Sequence, residues 1–325
     1  MLLRYFQKYR PSTLILVLLT AGALWIKPFS HLTPYAFSFD QLEMPLYQWF
    51  KGFFTAGSVM GTVVSFACIL IIAFYLLRLN NLYIFIPERT YLPALFFILI
   101  ASSYVPLNKL NPVFPAAVLV VYALNKIIKS YKTDNLSYRI FDASLVISSA
   151  SLIYLPSILF LVVVWISLIA FRPFFLREWL YSILGPTIIA LILVSGAYLL
   201  SWDLGIYKTA VQGYLTMHQS DSLSVYKIIL YCYIIFLILI SSVNMIRVYP
   251  SIKIYSRKTF TLFLYFFLIG CLMFFIPAVQ IEMLVFLTIP VSYILAYYFL
   301  SFRKRWMGEL LFFILTALIV ICQFR

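Results

Sequence analysis

Eleven apolar stretches, each near the length that crosses a lipid bilayer, follow one another along the 325 residues. They run over 11–27, 54–77, 90–106, 112–128, 140–154, 155–171, 179–200, 226–246, 259–276, 283–301 and 308–324. About 20 helical residues span the hydrocarbon core, with a range of roughly 17–25. Only 10% of the chain is charged and 64% is hydrophobic, which leaves too little charge to cover a water-facing surface. The pattern predicts an all-α fold: a polytopic transmembrane bundle of about 11 spans, one integral membrane domain over 1–325 with no soluble domain. The stretch 140–171 is read as two spans. As one helix it would measure about 48 Å, and Leu155-Pro156-Ser157 stands at its middle, where proline breaks a helix.

Charge placement sets the expected orientation. Eighteen of the 24 Lys and Arg fall on the side of the N-terminus; Lys27, Lys51, Lys109, Lys208, Lys227 and Arg325 fall on the other. The positive-inside rule then puts the N-terminus inside and the C-terminus outside. The net charge of +14 is thus a topology signal facing anionic cytoplasmic lipid, and no nucleic-acid partner is expected. Arg4, Lys8 and Arg10 precede the first stretch, and Lys27-Pro28-Phe29 follows it where a signal peptide would carry a small-x-small site. It reads as a retained signal anchor.

Chemistry is sparse. Cys68, Cys232, Cys271 and Cys322 lie far apart inside apolar runs, His31 and His218 are the only histidines, and neither a P-loop nor GxGxxG occurs. No metal and no cofactor is expected. No span carries a mid-membrane string of ionisable residues, which ranks an ion-coupled transporter low. Asp142, three residues after Arg139, reads as a helix cap or a local ion pair. Ser144, Ser148 and Ser151, and separately Gly57 and Gly61, read as close-packing faces. Glu282 stands at the outer edge of a span, and Trp25, Trp179, Tyr198, Trp202 and Trp306 read as an interfacial belt.

The two long outer loops, 28–53 and 201–225, hold four of the ten acids, Asp40, Glu43, Asp203 and Asp221, and Glu282 is the fifth acid expected on the outer face. In the first loop Ser38 and Gln41 form a capping-box pattern. Leu42, Leu46, Trp49, Phe50 and Phe53 recur at helical spacing, which predicts an amphipathic interfacial helix broken or restarted at Pro45. Asp40 and Glu43 share one face as candidate base or cation ligand; the plainer reading is solvated carboxylates near a helix N-terminus. In the second loop Ile206, Ala210, Val211, Tyr214 and Leu215 predict another short interfacial helix that walls or lids the outer opening. It brings Lys208 and His218 as candidate substrate contacts, although a lone loop histidine is most often just solvated.

The stretch RIFDASLVISSASLIYLPSILFLVVVWISLIAFRPFFLREWLYSILG (139–185), with the opening RYFQKYRPSTLILVLL, resembles an uncharacterised multi-pass inner-membrane family of Bacteroidota. The resemblance implies a bacterial inner-membrane location and brings no catalytic residue. A carotene-cleaving oxygenase label used for some members implies four iron-binding histidines and does not fit two. The architecture, one span followed by a long acidic outer loop, a long second span and tight hairpins, is also similar to polyprenyl-phosphate-dependent GT-C glycosyltransferases. That resemblance implies Asp40 as base on the acceptor hydroxyl, Glu43 as its substitute, and Lys51 or Lys109 as phosphate contacts. GT-C enzymes often carry a DE or DD pair close to the first span, whereas here the acids are spaced as DQLE well past Ile26. The expected function is a GT-C-like transferase using a lipid-linked donor at the outer face, with membrane lipids and a polyprenyl-phosphate-linked substrate as partners. The alternative is a non-enzymatic scaffold bound to an envelope protein, and the third reading is a lipid or small-molecule transporter.

Overall fold

The structure, a computed structural model, describes residues 2–30, 44–54, 58–83, 85–86, 88–103, 108–131, 136–171, 175–199, 205–216, 224–302 and 305–324. Fourteen α-helices and no strand occur among the described residues. The chain opens with α1 (Leu2–Gln7), α2 (Pro11–Ser30), α3 (Pro45–Phe53), α4 (Val59–Tyr83) and α5 (Leu92–Ala101). Next come α6 (Val113–Ser130), α7 (Leu136–Ser151), α8 (Leu161–Phe171), α9 (Leu176–Leu199) and α10 (Gly205–Thr216). The chain ends with α11 (Val225–Val248), α12 (Ile254–Met273), α13 (Leu284–Leu300) and α14 (Arg305–Phe324). Eight of these, α2, α4, α6, α9, α11, α12, α13 and α14, are long and apolar enough to cross a membrane. The chain is a multi-pass helical membrane protein.

Two spans differ from expectation. The second begins at Val59 and runs on to Tyr83, carrying Arg78 inside the helix. The third is only ten residues, Leu92–Ala101, or about 15 Å of helix. Pro93 sits in its first turn, and every one of its residues is buried. Such a half-length helix is tolerated because irregular backbone at membrane depth is stable when protein surrounds it. Its end is closed by neighbours: Gln323 Nε2 donates to Ser102 O at 2.6 Å, and Trp25 Nε1 donates to Ser102 Oγ at 3.0 Å. Trp25 is therefore fully buried and not part of an interfacial belt, whereas Tyr198 and Trp306 are exposed as a belt requires.

The break at the middle of 140–171 is present as expected. α7 stops at Ser151, and a 3₁₀ turn over Leu155–Phe160 leads into α8. Pro156 lies in the first turn of that segment, where its missing N–H is no loss.

α5 and α13 form the centre of the bundle, buried over most of their surfaces, and the rings of Phe160 and Phe266 (4.2 Å) and of Phe263 and Tyr293 (4.9 Å) stack around them. α9, α11 and α14 line the periphery and turn Leu191, Ile235 and Phe313 outward. In lipid an apolar outward face carries no penalty, so these helices need no further cover. α7 and α9 form the most extensive helix pairing. Gly185 meets Ser144 and Leu145 there, so the serine face of α7 is the close-packing surface its spacing predicted. Gly61 is buried, while Gly57 lies outside the described residues. Asp142 pairs with Lys126 of α6 at 2.7 Å instead of with Arg139, whose Nη1 donates to Lys129 O. The four cysteines are free thiols.

Contacts between helix ends sort into two groups. Tyr83, Tyr131 and Tyr255 meet at the end rich in Lys and Arg, and Lys258 Nζ donates to Ala170 O beside them. At the opposite end, here the cap end, α3 and α10 fold back onto the bundle.

Candidate functional site

The cap end is assembled from four connections. α3 starts on Pro45, and the Leu46 N–H bonds to Leu152 O (3.2 Å) in the turn after α7. Met44 and Tyr47 are buried against the bundle, while Leu46, Trp49 and Phe53 stay exposed. Of the apolar stripe read from the sequence, Leu46, Trp49 and Phe53 therefore face away from the protein, as on a helix lying in an interface, while Phe50 packs against the core and Leu42 lies outside the described residues. α10 presents Ala210 and Tyr214 inward and Val211 and Leu215 outward, and its Tyr214 O accepts from Ala278 N–H at 3.3 Å.

Between these helices lies a buried polar group absent from the expected site. Glu282, on a 3₁₀ turn (Ile281–Met283) ahead of α13, is 2% exposed. Its Oε1 accepts from Gln280 N–H at 3.0 Å, and it stands close to Tyr154 and Tyr214. Burial first, and then the Glu282 carboxyl, hold both phenols above their ordinary range. The rings of Tyr154 and Tyr214 meet edge to face at 6.4 Å, and Tyr154 stacks on Phe286 at 6.2 Å. One carboxyl and two phenols thus converge where α7, α10 and α13 meet. The sequence did hold a signal: Glu282 is the sole charged residue between Lys258 and Arg303, and a lone ionisable group in so long an apolar stretch is a candidate position. Tyr154 and Tyr214 gave no such sign among 25 tyrosines.

The residues expected to form the site fare differently. Asp40, Glu43 and His218 lie outside the described residues, as does the Ser38–Gln41 capping pattern. Lys51 is half-buried in the last turn of α3, and Lys208 is exposed near the start of α10. Lys109 is half-buried in the turn between α5 and α6, where burial pushes its ammonium pKa down. Asn111 in that turn caps α6 by accepting from the N–H groups of Val113 (3.0 Å) and Phe114 (3.3 Å). The structure thus brings α3 and α10, which carry Lys51 and Lys208, onto the α7 turn and the α12–α13 connection around Tyr154.

A second feature shares this end. A groove of about 320 Å³, lined wholly by apolar groups of α5, α11, α12 and α13, runs down from Ile281 and Leu284 past Ile235 and Cys271. It lies on the side of the 281–283 turn marked by Ile281, whereas Glu282 faces the tyrosines. Among the described residues no group of three or more His, Cys, Asp or Glu is placed to hold a metal ion.

A model of a family of unknown function, DUF6427, matches residues 39–325. The chain belongs to that family. The match takes in α3 through α14, and with them Asp40, Glu43, the Tyr154–Tyr214–Glu282 cluster and the groove. No curated protein and no solved structure matches the chain.

Proposed function

We propose that the protein is a GT-C-like glycosyltransferase, or a relative of that class, acting on a lipid-linked substrate at the outer face of the bacterial inner membrane. The observation that carries this reading is the cap end itself: two outer-loop helices anchored over a buried carboxyl–phenol cluster, beside an apolar groove of about 320 Å³. Such a juxtaposition suits a substrate with a hydrocarbon tail and a polar head. In this reading the eight long helices with α5, α7 and α8 make eleven crossings, the N-terminus is cytoplasmic, and the cap end faces the periplasm. Asp40, with Glu43 beside it, acts as base on the acceptor hydroxyl, Lys51 and Lys109 attract the donor phosphate, and Lys208 and His218 belong to the lid. The Glu282 cluster holds the α10 lid against the bundle.

The test is complementation of a deletion strain with Asp40→Asn, Glu43→Gln and the double variant, each checked for membrane insertion. The expected result is loss of the envelope phenotype's rescue in at least the double variant. Full rescue by an inserted double variant ends the glycosyltransferase reading. Orientation is checked separately: a periplasm-active reporter fused after Arg325 is expected to be active and one fused at Lys304 silent.

The alternative reading is a non-enzymatic scaffold that binds an envelope protein. It predicts stable co-purification with one membrane complex and tolerance of the same carboxylate substitutions.

A further inference from the structure

The apolar groove has three properties that together name its occupant. It lies towards the cap end of the bundle: it uses the first half of α13 (Leu284 to Val291), the last turns of α12, and the middle of α11 from Tyr231 to Ile238. From Ile281 to Val291 is about 15 Å of helix, half of a hydrocarbon core of about 30 Å, so the groove has the depth of one leaflet. Its volume, about 320 Å³, is too small for a transmembrane helix, which is about 10 Å across. A methylene is similar in size to a water molecule, whose share of liquid volume is about 30 Å³. The space therefore suits on the order of ten methylenes of a single chain.

The register of α11 sets a cation one turn above the slot, on the face shared with three of its lining residues and within electrostatic reach of Cys322 of α14. Tyr231, Ile234 and Ile238 line the groove, and Lys227 precedes them at spacings of four, three and four residues. Residues so spaced share one helix face. Lys227 is half-buried in the first turn of α11, about 6 Å above Tyr231 along the axis. A cation one turn above an apolar slot of leaflet depth is complementary to a phosphate-bearing lipid.

We propose that the groove between α11, α12 and α13 binds one hydrocarbon chain of a phosphate-bearing lipid, with Lys227 at its phosphate. The ligand chemistry is shared by a membrane phospholipid and a polyprenyl phosphate carrier. This inference rests on the proposed function only in treating the site as one for a substrate; binding itself requires no turnover.

The test uses the full-length protein in nanodiscs with three photoreactive diazirine lipids: a phosphatidylglycerol, a polyprenyl phosphate and an uncharged diacylglycerol. Labelled peptides are mapped by mass spectrometry. Label from the phosphate lipids is expected to concentrate on α11 and α13 between Tyr231 and Val291. Ile235→Trp and Cys271→Phe each fill the slot and should cut that labelling at least fivefold. Ile235 is already 56% exposed, so its enlargement leaves the packed core untouched. Lys227→Gln should reduce labelling by the phosphate lipids about fivefold, the scale of one Lys–phosphate attraction at a membrane surface, and leave the diacylglycerol unchanged. Labelling spread evenly over all peripheral helices, or unaffected by both slot-filling variants, overturns the groove. Equal effects of Lys227→Gln on charged and uncharged probes overturn the phosphate assignment. Stronger labelling by phosphatidylglycerol than by polyprenyl phosphate assigns the site to membrane phospholipid and removes it from the substrate path. Retained labelling alongside full rescue by the Asp40/Glu43 double variant would end the transferase reading while leaving this site in place.

Discussion

Gly185→Ala is a one-carbon perturbation whose effect follows from the α7–α9 crossing. A Cβ at Gly185 would overlap Ser144 Oγ and stand 2.6 Å from the Leu145 backbone N and 2.8 Å from the Ser144 carbonyl carbon. Ordinary van der Waals contact begins at 3.4 Å, so the two helices must part by about 0.8 Å. A gap of 0.5–1 Å forfeits roughly a quarter to a half of each contact's attraction, and forced overpacking costs about 1–3 kcal/mol. Alanine returns up to about 1 kcal/mol of helix propensity, for a net loss of about 1 kcal/mol and at most about 2 kcal/mol. Gly196, on the same helix, has nothing within 4 Å of its Cβ position and supplies the control: Gly196→Ala should be neutral or stabilising by up to about 1 kcal/mol. Ser144→Gly should not rescue Gly185→Ala, because the backbone atoms of Ser144 and Leu145 remain in the way. Steric trapping, or the midpoint of thermal loss of the monodisperse peak in detergent, measures the difference. Gly185→Ala as stable as Gly196→Ala would refute the close approach of α7 and α9.

The remaining expectations concern the cap end. Glu282→Ala removes the acceptor of the Gln280 N–H and the carboxyl facing two buried phenols, and should cost about 1–3 kcal/mol. Glu282→Gln keeps an acceptor oxygen and should cost less; hydrogen exchange over 205–216 and 278–283 reads the loosening, and equal protection in both variants would remove Glu282 as the anchor of α10. Lys109, depressed by burial, should show a pH midpoint for amine acetylation below the ordinary 10.5. The folded chain holds that proton less tightly than the unfolded chain, so this group's contribution to stability rises with pH as the folded-state ammonium titrates. A midpoint at or above 10.5 would contradict the buried setting.

Helices were legible where lipid imposes a strong rule. Apolar length alone marked the eight long helices, and Pro156 marked the break between α7 and α8. Amphipathic spacing found α3 with its start at Pro45, and it found α10. The site was far less legible. Lys51, Lys109 and Lys208 were picked as cations of the outer loops, and nothing in a linear pattern says that α3 and α10 meet around Tyr154. Trp25 looked like a belt residue because it is near a helix end, yet Ser102 accepts its indole N–H inside the bundle. Asp142 was read as a helix cap or a local pair with Arg139, while Lys126 from the preceding helix reaches it.

The sequence by itself determined that this chain is a multi-pass bundle of helices, because in hydrocarbon every backbone polar group must find a partner within its own helix. Apolar length and proline placement carry that information locally. Which helices occupy the centre was decided only by the tertiary structure, since lipid and protein interior are nearly equivalent to an apolar side chain. α5 and α9 read alike as apolar stretches, yet α5 is buried on all sides and α9 is mostly exposed. The same equivalence hid the groove and the partners of Glu282. Both are made by residues from separate helices, brought together by packing that hydropathy does not record.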